Sequence, residues 1–218
     1  FENNNVEIKN TNFENLGYPK IDRYTFFGGL NFINSNVVLE NIIIKNSKSE
    51  DAINLVNSNV SIKNITLKNI QSDAIDIDYG FVKFNKIFCL EIKNDCIDIS
   101  GANVDGTTLM IEKTLDKGLS VGESSNVKIE DVVIQNSKIA IAVKDGSNSY
   151  IKNFKSLNND YDIVLFNKKK EYDNPTLNIK NFKKNNKKIL QSKKSILVID
   201  ENNILGKQTN SYIKSLLY

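Results

Sequence analysis

The chain has 218 residues and a formal net charge of +3, and 40% of its residues are apolar, enough for one continuous core. It contains no histidine, which excludes histidine triads, most zinc centres and an imidazole general base. Ten glycines and two prolines argue against a loop-dominated chain, and no apolar run approaches the length of a membrane span.

The chain begins at Phe1, without Met and already inside a repeat, so it reads as an N-terminally truncated fragment or a processed form. No signal peptide is visible. Residues 4–16 read as half a turn, with Val6, Ile8 and Phe13 inward and asparagines at the corners. Residues 17–28, with Gly17-Tyr18-Pro19 and the aromatics Tyr24, Phe26 and Phe27, read as an inserted loop. From Gly29 the rhythm resumes. Ile53, Ile75, Ile97, Leu119, Ile141 and Ile163 recur every 22 residues, as do Leu55, Ile77, Ile99, Val121, Val143 and Leu165.

A fixed period of this size means a solenoid, because one turn cannot bury its apolar side alone. Alternation inside each turn makes the repeating unit a strand, with Ile75 and Ile77 inward and Asp76 and Asp78 outward. A second segment in each turn, such as Asn59 to Asn69, bends at Asn41, Asn64 or Asp131. Asparagine suits such corners, since it tolerates the left-handed conformation and its amide can bond along a stack. Three short strands per 22-residue turn predict an all-β fold, a single-stranded right-handed parallel β-helix that occupies residues 1–218 as one domain. Roughly eight turns fit before residue 200. Beyond Phe166 the pattern loosens into a polar excursion, 167–175; Leu177, Ile179 and Phe182 restore it, and Ile196 to Ile199 reads as the last full strand. Asn210 to Tyr218 has helical spacing, with Ser211 as N-cap, and residues 207–218 suit a C-terminal helical cap.

Charge is uneven along the chain. Residues 50–131 hold 14 acids and 8 lysines, whereas 132–218 hold 7 acids and 16 lysines. That balance fits a polar or cationic ligand near the middle, or a solvated surface. The lysines cluster late without a recognised module, which ranks nucleic acid low among partners. Cys96 shares a column with Ala52, Ala74, Gly118 and Ala140 and so reads as a small packed residue, with a bond to Cys89 left open.

Stacking places distant acids together. Asp51, Asp73 and Asp95 share one outward column with Lys117; Asp76 and Asp98 share the next with Asn54 and Ser120; Asp78 and Ser100 form a third, near Glu123. Like charges one strand apart, about 4.8 Å, need a cation, a lysine or a proton between them. Three readings follow: aspartates that only stabilise the coils, calcium held by Asp76 and Asp98, or a carbohydrate site. Close carboxylates raise one partner's pKa and so supply both an acid and a base, all that glycoside hydrolysis requires. A lyase would instead use Lys117 or Lys144 as base, if burial lowers its pKa. The catalytic candidates are therefore Asp73, Asp76, Asp95, Asp98 and Lys117, with Asp78, Glu123, Lys144 and Asp145 as substrate-binding candidates. Tyr79 and Phe81 follow the acidic strand and are available to stack on sugars.

These residues resemble the pectin-lyase-like superfamily of β-helices over most of the chain. Ser72-Asp73-Ala74-Ile75-Asp76, Asn94-Asp95-Cys96-Ile97, Lys117 to Gly122 and Ala142-Val143-Lys144 resemble the four motifs of polygalacturonases. Asn94, Lys117 and Ala142 stand where that family has an aspartate, a histidine and an arginine, so the likeness implies a divergent enzyme. A closer resemblance is to uncharacterised bacterial β-helix proteins, some of which accompany spore-coat-protein-H kinase-like domains. It rests on Asp95 to Gly101, Asp116 to Glu123, Val143 to Ser147 and Lys169 to Tyr172. That resemblance implies that Lys117, Glu123, Lys144, Asp145 and residues 169–171 belong together. A polysaccharide or cell-surface glycan is then the expected partner, and the extracellular space or cell surface the expected location.

Overall fold

A computed structural model describes residues 4–21, 24–184 and 188–217. The strands run parallel and stack coil on coil into a β-solenoid of about eight turns, with successive coils about 22 residues apart. A front wall is built from Gly28–Ile33, the openings of the long strands Asp51–Ile70 and Asp73–Ile92, then Ile97–Ser100, Lys117–Gly122, Ile139–Lys144, Tyr161–Phe166 and Ile189–Gln191. A back wall is built from Asn5–Glu14, Asn36–Lys45, the remainders of the two long strands, Asn103–Thr114, Asn126–Gln135, Asn148–Leu157, Thr176–Lys184 and Ile196–Ile199. The antiparallel strand Asn202–Ile204 closes the series.

The 22-residue period is one coil. Ile53 pairs with Ile75, Ile75 with Ile97, and the register continues through Leu119, Ile141 and Ile163. All six side chains are buried in a single interior cluster. β-Branched residues suit this stack, because their restricted rotamers match the pleat and each finds the same neighbour above and below.

In six successive coils two corners turn in the left-handed region: one at Asn34, Asn57, Tyr79, Gly101, Glu123 and Asp145, the other at Asn46, Asn69, Glu91, Lys113, Asn136 and Asn158. Two of the asparagine stacks there bond amide to amide along the axis, Asn57 to Asn34 at 2.8 Å and Asn69 to Asn46 at 2.7 Å. Of the third-bend positions expected at Asn41, Asn64 and Asp131, Asn41 alone is left-handed, φ 55°, as is Asn10 in the coil before it, φ 50°. Asn64 still donates to Asn41 at 3.1 Å, so it contributes its amide without the unusual backbone.

In the segment 17–28, the short strands Lys20–Ile21 and Tyr24–Thr25 pair antiparallel before the coil resumes at Gly28. Cys89 and Cys96 form a disulfide, and both are fully buried in the interior. Cys89 points inward from the back wall and Cys96 from the start of the next coil, a meeting that a column of small residues could not reveal. The helix Asn210–Leu217 is capped by Thr209, whose Oγ1 accepts the Tyr212 N–H at 3.2 Å, whereas Ser211 lies inside the first turn. Ile213 packs on Ile139, Ala142, Val164, Phe166 and Leu190, so the helix lies along the outer flank of the front wall. Among the described residues no helix is long and apolar enough to cross a membrane.

Candidate functional site

The outer side of the front wall changes chemistry coil by coil. One column reads Asn54, Asp76, Asp98, Ser120, Ala142 and Val164, from amide through carboxylate to the apolar patch under the helix. Asp73, Asp76, Asp78, Asp95, Asp98 and Lys117 are all brought together on this wall, in neighbouring coils.

The first column is a ladder. Asp73 Oδ1 accepts the backbone N–H of Asp95 at 2.7 Å, and Asp95 Oδ1 accepts that of Lys117 at 2.8 Å. The Lys117 ammonium returns to both Asp95 oxygens at 3.2 Å and also pairs with Asp116, which Lys138 reaches at 3.3 Å. Asp95 and Lys117 are only 2% and 6% exposed. Three of the catalytic candidates are therefore already engaged in closing one coil on the next. Asp116 belongs to no acidic column; in the sequence it stands out only as the first residue of the run Asp116 to Glu123, directly before Lys117.

The second and third columns are freer. Asp98 accepts the N–H of Ile99 at 3.1 Å. Asp76 accepts no hydrogen bond from a described residue, and burial, followed by the charges of Asp78, Asp51 and Asp98, pushes its carboxyl up to about 8. Burial and the charge of Asp95 carry Asp73 to about 7, and burial carries Asp51 to about 6. Asp78 is raised by burial and by Glu123 and Asp98, against the pull of Lys169. Burial also raises Asp95, with Lys117 opposing it. For Asp116 burial pushes upward, but hydrogen bonds and charge from Lys117 and Lys138 outweigh it and leave the group below the usual range. Near neutral pH the wall thus relieves its crowding by holding protons, most firmly at Asp76. Among the described residues no group of three or more His, Cys, Asp or Glu side chains is arranged to hold a metal ion.

The four substrate-binding candidates border this surface. Glu123 pairs with Lys169, and Asp145 Oδ1 accepts the N–H groups of Lys168 and Lys169 at 2.6 and 2.7 Å. The excursion 167–175 therefore folds back to the rim beside Asp78. Lys144 is 7% exposed and donates to Ser120 Oγ at 2.9 Å, alongside the second column. At the corner after Asp78, Tyr79 adopts φ 64°, uncommon for a bulky residue, and is 55% exposed. Its ring lies against Gly101, where a Cβ would come within 2.7 Å. No family model, curated protein or solved structure matches the chain, so the solenoid itself is all that stands behind the likenesses read from the motifs.

Proposed function

We propose that the chain is a polysaccharide-interacting β-solenoid that acts as a divergent glycoside hydrolase, with Asp76 as proton donor and Asp98 as the opposing carboxylate. The observation that carries this reading is the Asp76 carboxyl, raised to about 8 by burial and by four neighbouring acids, Asp78, Asp51, Asp98 and Asp73. It holds its proton at neutral pH, as a general acid must. Asp98 is the register partner of Asp76 in the next coil, a backbone spacing of about 4.8 Å that sets two in-register carboxyls in the range of a retaining pair, roughly 5–5.5 Å, rather than the wider separation of an inverting one. Asp73, Asp95 and Lys117 position the strands, and Tyr79 offers an aromatic surface at the edge. Incubating a panel of plant, fungal and bacterial polysaccharides with native protein, Asp76→Asn and Asp98→Asn tests this. Reducing ends are expected from the native chain alone; none, or equal yields from all three proteins, ends the reading.

A second reading is a non-catalytic surface module whose aspartates only join the coils. The Asp73–Asp95–Lys117 ladder favours it, since those acids already have backbone partners.

A further inference from the structure

Around the corner from the acids, the back wall carries an open groove parallel to the solenoid axis. Its floor follows the first outward position of successive coils, including Asn36, Asn59, Phe81, Asn103, Asn126 and Asn148. Asparagine amides bond along this column, Asn59 to Asn36 at 3.2 Å and Asn126 to Asn103 at 3.2 Å. Phe81 interrupts them between Asn59 and Asn103, and among the described residues no amide bond joins Asn148 to Asn126. The Oδ1 of Asn59 and the Nδ2 of Asn103, which would each have met an amide in that coil, have no partner among the described residues. The Phe81 ring is 40% exposed, and hollows of about 470 and 560 Å³ meet at it. Across eight coils the groove runs roughly 34 Å at one strand spacing per coil.

We propose that this groove binds a neutral, linear polysaccharide lengthwise, with Phe81 beneath one pyranose ring and the Asn59 and Asn103 amides on its hydroxyls. A sugar ring presents an apolar face and a rim of groups that both donate and accept. The break in the ladder supplies the matching set: an aromatic face between a free acceptor and a free donor. Charge points the same way, because the lysines Lys83 and Lys128 are offset by Glu7 and Asp105 along the groove. An extended polypeptide fits less well. The strands beneath are hydrogen-bonded coil to coil, so the face offers it no free backbone edge. The polysaccharide reading above supplies the class of ligand, but the acids of the front wall take no part.

Affinity electrophoresis of the full chain through gels containing a mixed-linkage β-glucan, a galactomannan or an arabinoxylan tests the groove. Phe81→Asn places an amide between Asn59 and Asn103, so this variant is expected to melt no lower than the native chain, and its loss of binding would not be unfolding. Retardation of the native protein by at least one glycan is expected, weakened roughly tenfold in Phe81→Asn. No retardation by any of the three, or equal retardation of Phe81→Asn, overturns the proposal. Retardation lost only in Asp76→Asn moves binding to the acidic wall and also overturns it. Retardation by denatured casein in place of the glycans gives the groove a polypeptide occupant and overturns it as well. If Phe81→Asn alone loses retardation while no reducing ends are ever released, the groove stands and the hydrolase reading falls.

Discussion

Asp73 and Asp95, one coil apart, are joined through a backbone amide: the carboxylate of the first accepts the N–H of the second at 2.7 Å. Two acids that would repel if set side by side become a link between coils, and Asp95 repeats the link to Lys117.

Removing that link should be costly. Asp95→Ala strips the acceptor from the Lys117 N–H and one carboxylate from a buried ammonium, so a loss of about 3 kcal/mol or more is expected. In a chain of this size that lowers Tm by roughly 10 °C. Lys117→Met keeps the amide bond and should cost less. Thermal melting at pH 7 checks both, and an Asp95→Ala protein that melts with the native chain would contradict the ladder.

Stability should fall as pH rises. Asp51, Asp73 and Asp76 have folded values near 6, 7 and 8, above the ordinary carboxylate value. The folded state therefore holds more protons than the unfolded one from about pH 4 to about pH 8. The contribution is complete at the acid end of that window and is lost as pH climbs through the folded values. Melting across pH 5 to 8.5 reads the slope, and a Tm that rises with pH would reverse the assignment.

Asp76→Asn should stabilise the protein in a pH-dependent way. It removes the need to ionise a crowded, half-buried group, so Tm is expected to rise about 3 °C at pH 8, the effect of roughly 1 kcal/mol. At pH 5, where Asp76 is already protonated, it should change little. An equal effect at both values would show that charge is not the cause.

The C-terminal helix should detach without unravelling the coils. Ile213 is its one buried residue, and Ile213→Ala is expected to cost about 2–5 kcal/mol locally. Limited proteolysis should then clip the chain near residue 209 while the solenoid survives intact. Cleavage throughout the coils would mean that the helix is needed by the whole stack.

Calcium and chelator should leave melting unchanged, because among the described residues no group of three or more His, Cys, Asp or Glu side chains is arranged to hold a metal ion. A Tm raised by calcium and lowered again by chelator would restore Asp76 and Asp98 as cation ligands.

Much of the fold can be read from spacing alone. Inward positions such as Ile53, Ile75 and Ile97 are fixed by a strict period, and stacking follows from it without any knowledge of neighbours. The same arithmetic places the aspartates in common columns. It cannot say which of them are occupied, since that depends on where a side chain meets an amide in the next coil, as Asp73 does. Nor can it find Lys169, which reaches Glu123 from an excursion outside the repeat, or the partner of Cys96, which arrives from the other wall. The repeat specifies a grid of positions; departures from the grid carry contacts that periodicity does not encode.

The Cys89–Cys96 bond is sealed in the dry axis of the stack, with neither sulfur residue reachable from solvent. A reductant can attack it only when the middle coils part, so the rate at which thiols appear under native conditions counts those partings. The protein thus carries an internal clock for its own breathing: slow, single-exponential release of both thiols would mean that the centre of the stack opens as a unit.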